Sequence, residues 1–295
     1  MKIVRYRYND KECYGVLNQQ TLLCLPALAE RFKKELPPKL EDFVAQGDSA
    51  LRTAEDLLNR AGDNDVKGIS APLNAISLLA PLALPPKIIC LGLNYIDHAA
   101  ESKATVPDEP IFFMKPHTTI IGPNQYIIKP SFVKRLDYEG ELAIVIGKTA
   151  KNIPASEAKK YIFGYTIMND VSAREIQFKD GQWTRGKSFD TFAPTGPCIT
   201  TENQLKNTDN LAIRTWVNGE LRQNSTTRNM AFNVSQIIHH LSRVMTLEPC
   251  DVIATGAPAG VGFAMKPPQF LKNGDVVRIE IEGIGVLENA VEERG

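Results

Sequence analysis

The sequence predicts a β-rich α+β protein, a mixed β-sandwich roll preceded by a small N-terminal α/β domain. Three observations carry this. From Ile88 onward the chain is a succession of short apolar runs separated by turn signals. Helical periodicity in that part is confined to one strong segment. A polar and proline-bracketed stretch separates it from the first 80 residues, where strand and helix patterns mix.

Taken in order, IVRYRY and CYGVL read as short strands around the polar turn NDKE, and helical segments follow at about 26–34 and 49–61. AGDNDVKG and APLALPPK form a linker, which gives domains of 1–80 and 81–295. Strands are then expected at KIICLG, PIFFMK, QYIIKP, GELAIVIG, YIFGYTIMND, PCITT, AIRTWVNGELRQ, DVIATG and VVRIEIEGIGVLENAV. VNGE and KNGDVV supply turns, because Asn-Gly adopts positive φ at little cost. The strong helix runs from about Asn233 to Met245, with Val234, Ile237, Ile238, Leu241 and Val244 on one face.

Composition removes several function classes. The 295 residues carry 34 Lys+Arg against 34 Asp+Glu, so no basic excess is available to neutralise phosphates, and nucleic acid is not an expected partner. At 43% hydrophobic the chain can bury a core. The most apolar stretch, Ala75 to Leu93, is interrupted by Pro81, Pro85, Pro86 and Lys87, whereas a membrane span needs about 20 uninterrupted apolar residues. The N-terminus lacks the apolar core of a secretory signal. Five scattered cysteines without a CxxC pair read as reduced core thiols, and a cytoplasmic location is expected.

Two glycine motifs are set aside. GQWTRGKS (181–188) matches GxxxxGK[ST], but a polar segment precedes it and Pro194 and Pro197 follow where a helix would have to run. ATGAPAGVG does not have the GxGxxG spacing.

The chemistry-bearing stretch is RLDYEGELAIVIG. In a strand Asp137, Glu139 and Glu141 share one face, about 7 Å apart along it. Carboxylates running into a buried strand must protonate or hold a cation, and oxygen-only ligands suit Mg2+ or Mn2+, with Ca2+ also compatible. A solvated acidic face at a strand start is the structural alternative. Asp170 ends the apolar strand YIFGYTIMND, where it either brings a ligand to a pocket rim or caps a short helix from Val171. In GLNYIDHAAES a helix would set His98 and Glu101 at i and i+3, as an oriented base or as an incidental surface pair. His117, His239 and His240 have weaker claims.

Together these segments resemble the fumarylacetoacetate hydrolase superfamily. The matching stretches are GLNYIDHAAES, PIFFMKP, DYEGELAIVIG, GYTIMNDVSARE, GKSFDTFAPTGP, DVIATGAPAGVG and KPPQFLKNGDVVRIEIEGIG, which cover most of residues 88–290 in family order. The resemblance implies the family's C-terminal β-sandwich roll. It implies Glu139, Glu141 and Asp170 as ligands of Mg2+ or Mn2+, without Asp137. It implies His98 and Glu101 as the catalytic dyad and Lys187 as the lysine that holds substrate or oxyanion charge. Arg174, Gln177, Thr255 and Gly256 fall where family members contact the acid and keto oxygens of the substrate. The activity it implies is C–C bond hydrolysis of a 2,4-dioxo acid such as an acylpyruvate, the metal acting as a Lewis acid that stabilises an enolate. The alternatives are an oxaloacetate tautomerase or decarboxylase, or an isomerase or decarboxylase of a dicarboxylic 2-oxo acid in aromatic catabolism. A degenerate member that only binds a metabolite is disfavoured by the intact candidate residues. A homodimer is the implied assembly.

Overall fold

The computed structural model describes residues 1–18, 21–205 and 207–295. A long mixed sheet runs in the spatial order Ser70–Pro72, Thr21–Cys24, Lys11–Asn18, Lys2–Tyr8, Ala193–Thr201, Ile162–Asn169, Gly140–Ile146, Val252–Ala254, Ile88–Gly92 and Ile111–Lys115. Its neighbours are antiparallel except Val252–Ala254, which lies parallel to Ile88–Gly92. A second sheet, in the order Glu220–Thr226, Ala212–Val217, Val276–Ile281, Gly285–Arg294 and Ile127–Pro130, packs over the centre of the first.

Gly140–Ile146 shows why the layers assemble as they do. All seven residues are buried, as expected of a strand covered on both sides. Leu142, Ile144 and Ile146 join Ile213, Ile279, Ile281 and Leu287 of the second sheet in one core. Ala143 and Val145 point the other way, into a core with Phe43, Val44, Ala50 and Ala54 of the N-terminal helices. Alternation along a single strand thus serves two cores.

The N-terminal segment is continuous with the rest through this sheet, Lys2 pairing with Thr200 and Ile3 with Ile199. Its helices are Leu25–Arg31, Leu40–Gln46, Asp48–Arg60 and Asp63–Val66. The first and third match expectation. Leu40–Gln46 was not expected: it starts just after Pro37-Pro38 and is ended by Gly47 at φ +55°, too short to show a periodic signal.

The turn readings hold at the hairpins. Asn9 and Asp10, both at positive φ, join Tyr8 to Lys11, and Asn218-Gly219 joins Val217 to Glu220. The expected helix spans Val234–Val244. The Asn233 side chain accepts from Gln236 N, and the Gln236 side chain accepts from Asn233 N, a reciprocal cap that fixes where the helix begins.

Candidate active site

The strand expected to carry three aligned carboxylates is broken. Leu136–Asp137 pairs with Ser172–Ala173, and pairing with Ile162–Asn169 resumes only at Gly140. Tyr138 and Glu139 lie between the two ladders. The Glu139 N–H donates to the Asn169 side chain at 3.0 Å, and the Glu139 carbonyl accepts from Asp170 N at 2.9 Å. This change of partner locks the Glu139 and Asp170 backbones together and turns Asp137 away. The Asp137 carboxylate accepts from Tyr138 N, Gly262 N, Phe263 N and Arg174 Nε at 2.8–3.0 Å, so its bonding capacity is spent on structure.

Glu139, Glu141 and Asp170 place one carboxylate oxygen each within 4.8 Å of one another, all buried. Lys187 Nζ bridges Glu139 Oε2 (2.5 Å) and Asp170 Oδ2 (2.8 Å), while Lys115 Nζ donates to Asp170 Oδ1 (2.5 Å) and to the Val171 carbonyl (3.2 Å). Asp170 therefore caps no helix; its carboxylate is held by two lysines. Burial alone raises the Glu139 carboxyl, but the charges of Arg174 and Lys187 outweigh it and hold the group well below the usual carboxylate range. Glu141 goes the other way: burial, then the Asp170 and Glu139 charges, push it well above that range. Burial disfavours the Lys187 ammonium, but Asp170 and Glu139 more than compensate and raise it.

The donors fit a hard divalent cation. They are all oxygen, and Glu141 Oε1 is buried with no hydrogen-bond partner while Oε2 accepts from Gly256 N at 2.7 Å. An orphaned acceptor beside two more carboxylates is what such an ion would satisfy.

His98 and Glu101 lie on the helix Ile96–Ser102, with Nδ1 3.6 Å from Glu101 Oε2. That is ion-pair distance rather than a hydrogen bond, and the buried Nδ1 has no hydrogen-bond partner. Two tethers hold the helix. Asp97 accepts from His98 N (2.8 Å), Ser225 Oγ (2.5 Å) and Asn229 Nδ2 (3.3 Å). Glu101 accepts from Gly260 N (2.9 Å), where φ is +102° and a Cβ would overlap the Arg222 carbonyl. Tyr138 Oη donates to the Gly260 carbonyl at 2.8 Å, tying this loop to the residue beside Glu139.

A cavity of about 240 Å3 joins these groups; its wall includes His98, Glu139, Arg174, Gln177 and Lys187. Two cation–ring contacts shape it: Lys187 lies over the Phe113 ring (4.9 Å) and Arg174 over Phe263 (4.5 Å). Trp183 stands edge-on to Phe113, and Phe178 extends the Phe263 side. Arg174 Nη1 donates to Gln177 Oε1 at 3.0 Å. Its Nη2 forms a buried ion pair with Glu139 Oε1 at 2.7 Å.

Thr255 and Gly256 are placed behind the carboxylates. The Thr255 hydroxyl donates to the Leu142 carbonyl at 2.9 Å, and the Gly256 N–H to Glu141, while Ala257 reaches the cavity. The GQWTRGKS stretch forms a single helical turn, Thr184–Lys187, that delivers Lys187. Sequence reasoning missed Lys115, although a lysine ending the apolar run PIFFMK was a visible signal. It also missed Asn94, whose amide donates to the Phe232 and Thr255 carbonyls and fixes the approach to Gly256.

Known proteins share this architecture. A family model described as fumarylacetoacetate hydrolase C-terminal matches residues 87–292. The chain is 45% identical over 262 residues to a mitochondrial oxaloacetate tautomerase of Xenopus laevis, covering 88% of this chain and 80% of that protein. A 2-hydroxyhepta-2,4-diene-1,7-dioate isomerase from Mycobacterium marinum is 36% identical with a TM-score of 0.78, over 100% of this chain and 99% of that one. A maleylpyruvate hydrolase from Sphingobium sp. SYK-6, in complex with manganese(II) and pyruvate, is 29% identical with a TM-score of 0.81, over all of both chains. Among the described residues no helix is long and apolar enough to cross a membrane.

Proposed function

Because the chain belongs to the fumarylacetoacetate hydrolase family, we propose that it is a divalent-metal-dependent tautomerase of oxaloacetate or a close four-carbon 2-oxo diacid. One observation carries the choice of substrate. The Arg174 guanidinium, held by Asp137, Glu139 and Gln177, stands on the wall of a cavity of only about 240 Å3. That buried cation offers a pairing site to the second carboxylate of a short diacid, and the volume disfavours the longer acyl chains of other 2-oxo acids. The 45% identity to an oxaloacetate tautomerase supports the same reading.

Glu139, Glu141 and Asp170 would hold Mg2+ or Mn2+, which when bound supplies Lewis-acid polarisation of the substrate's oxygens. Around it the protein's own groups act. Lys187 places an ammonium where negative charge develops on the 2-oxo oxygen. His98 moves the proton at C3, and Glu101 orients the imidazole and stabilises its charged form. Arg174, fixed by Asp137 and Gln177, positions the distal carboxylate. Phe178, Phe263 and Trp183 limit the entry of water.

A second reading is hydrolysis of the C–C bond of an acylpyruvate, which the sequence favours. The likeness to a maleylpyruvate hydrolase holding manganese and pyruvate supports it. There the same His98–Glu101 pair would activate water. The two readings part in one assay of purified protein with Mg2+ or Mn2+, following enol-oxaloacetate decay and acetylpyruvate cleavage with product identification. Faster tautomerisation without cleavage supports the first; pyruvate and acetate released from acetylpyruvate support the second. Full activity of Glu139→Ala in chelator-treated buffer would sink both.

A further inference from the structure

Two of the five cysteines do not fit the expectation of scattered core thiols. Cys90, Cys198 and Cys250 are buried, but Cys13 and Cys24 are half-buried and lie together, on strands Lys11–Asn18 and Thr21–Cys24. Their sulfurs are 2.8 Å apart. We propose that Cys13 and Cys24 form a reversible disulfide site, closed by a peroxide as two-electron oxidant.

The geometry is close to that of the product. A disulfide holds its sulfurs about 2.05 Å apart, so closure needs a shift of roughly 0.8 Å from the present contact. The sulfurs meet diagonally where Thr21–Cys24 gives way to the helix Leu25–Arg31, since the ladder itself sets Cys24 opposite Gly15. Access is available too. Cys13 lines a surface cavity of about 570 Å3 whose wall includes Arg5, Glu12, Tyr14 and Leu40.

The two thiols share one hydrogen bond, which makes their ionisation unequal. The hydrogen bond between the two sulfurs lowers the Cys24 thiol against the effect of burial. Cys13 moves the opposite way, raised by its bond to Cys24 and by burial. In such a pair one sulfur ionises while the other keeps its proton and resolves. Tyr6 lies within reach of both sulfurs. In the first step the thiolate of the pair attacks peroxide, the O–O bond breaks, and a cysteine sulfenic acid and hydroxide form. In the second, the remaining thiol's sulfur displaces hydroxyl from the sulfenic acid, the S–S bond forms, and water leaves with that thiol's proton. Two thiols are oxidised and one peroxide is reduced to two waters.

The test uses the full-length protein as purified, treated with a slight excess of hydrogen peroxide, alkylated, digested and read by mass spectrometry. The expected result is a peptide joining Cys13 to Cys24, about 2 Da below the sum of the reduced peptides and reversed by dithiothreitol. Cys13→Ser and Cys24→Ser should each abolish the cross-link and leave a sulfenic acid on the remaining cysteine, trapped by dimedone. The wild-type cross-link stands as a readout even if a variant folds poorly. Both thiols fully alkylated after treatment, or Cys24 carried to sulfinic acid without a cross-link, would overturn the proposal.

Discussion

Replacing Lys187 by methionine gives the sharpest test of how the site is balanced. The Lys187 side chain is 3% exposed and its ammonium bridges Glu139 and Asp170. In the metal-free protein three cations, Lys115, Arg174 and Lys187, stand against the carboxylates of Asp137, Glu139, Glu141 and Asp170. The substitution removes one of these cations at comparable side-chain volume, in a site where Glu141 is already pushed toward its neutral form. Breaking a buried pair from one side costs about 3–5 kcal/mol. At roughly 2 °C per kcal/mol for a chain of this size, Tm of the metal-free variant falls by about 6–10 °C. A divalent cation supplies the missing charge to the same oxygens. Saturating Mn2+ should therefore recover at least half of the deficit, and Mn2+ should bind more tightly than to the wild type, because no ammonium competes for Glu139 and Asp170. Activity nevertheless falls about 100–1000-fold, the scale of losing a donor to developing oxyanion charge. Thermal melts with and without chelator, Mn2+ calorimetry and turnover read the three effects separately. A metal-free variant that melts within about 1 °C of wild type, or that binds Mn2+ more weakly, would refute the reasoning.

Three further outcomes follow from the supports of the site. Asp97→Ala loosens the helix that carries His98 by removing its bonds from Ser225 and Asn229. Turnover should fall about tenfold with metal content unchanged, as measured by elemental analysis beside kcat. Gly260→Ala combines a positive-φ position with overlap on the Arg222 carbonyl, and displaces the N–H that holds Glu101. It should cost about 1–3 kcal/mol in a denaturant titration and lower kcat as well. Asn233→Ala removes the reciprocal cap at Val234–Val244; about 1 kcal/mol of stability is lost in the same titration while kcat stays at the wild-type value.

The apolar runs of the catalytic part made its strands legible because each is buried on at least one face and bounded by turn residues. Gly140–Ile146 and Val234–Val244 are the plainest instances. Leu40–Gln46 was hidden, since seven residues after a proline pair hold too few turns for a period to show. The carboxylates were readable as residue types, but alternation predicted a straight strand with three equivalent members. The break at Tyr138–Glu139 separates Asp137 from the cluster, and it arises from the Asn169 side chain and the Asp170 backbone, partners about 30 residues away that no local pattern encodes. Long-range pairing likewise hid Lys115 on Asp170 and the meeting of Cys13 with Cys24. Only the resemblance of whole segments gave Lys187 its place, because its local context is that of a phosphate loop.

The carboxylates and the His98–Glu101 pair stand on supports of different kinds. Glu141 belongs to a strand at the centre of the long sheet, and Glu139 and Asp170 are locked to each other beside it. His98 and Glu101 ride on seven residues, held by Asp97 and by one peptide of the Gly260 loop. Substitutions in that short helix can therefore change where a proton is delivered, or admit a water, without touching the strands on which folding depends. A lineage carrying this fold can exchange one reaction for another through a few changes at its rim, with the carboxylate-lined interior inherited intact.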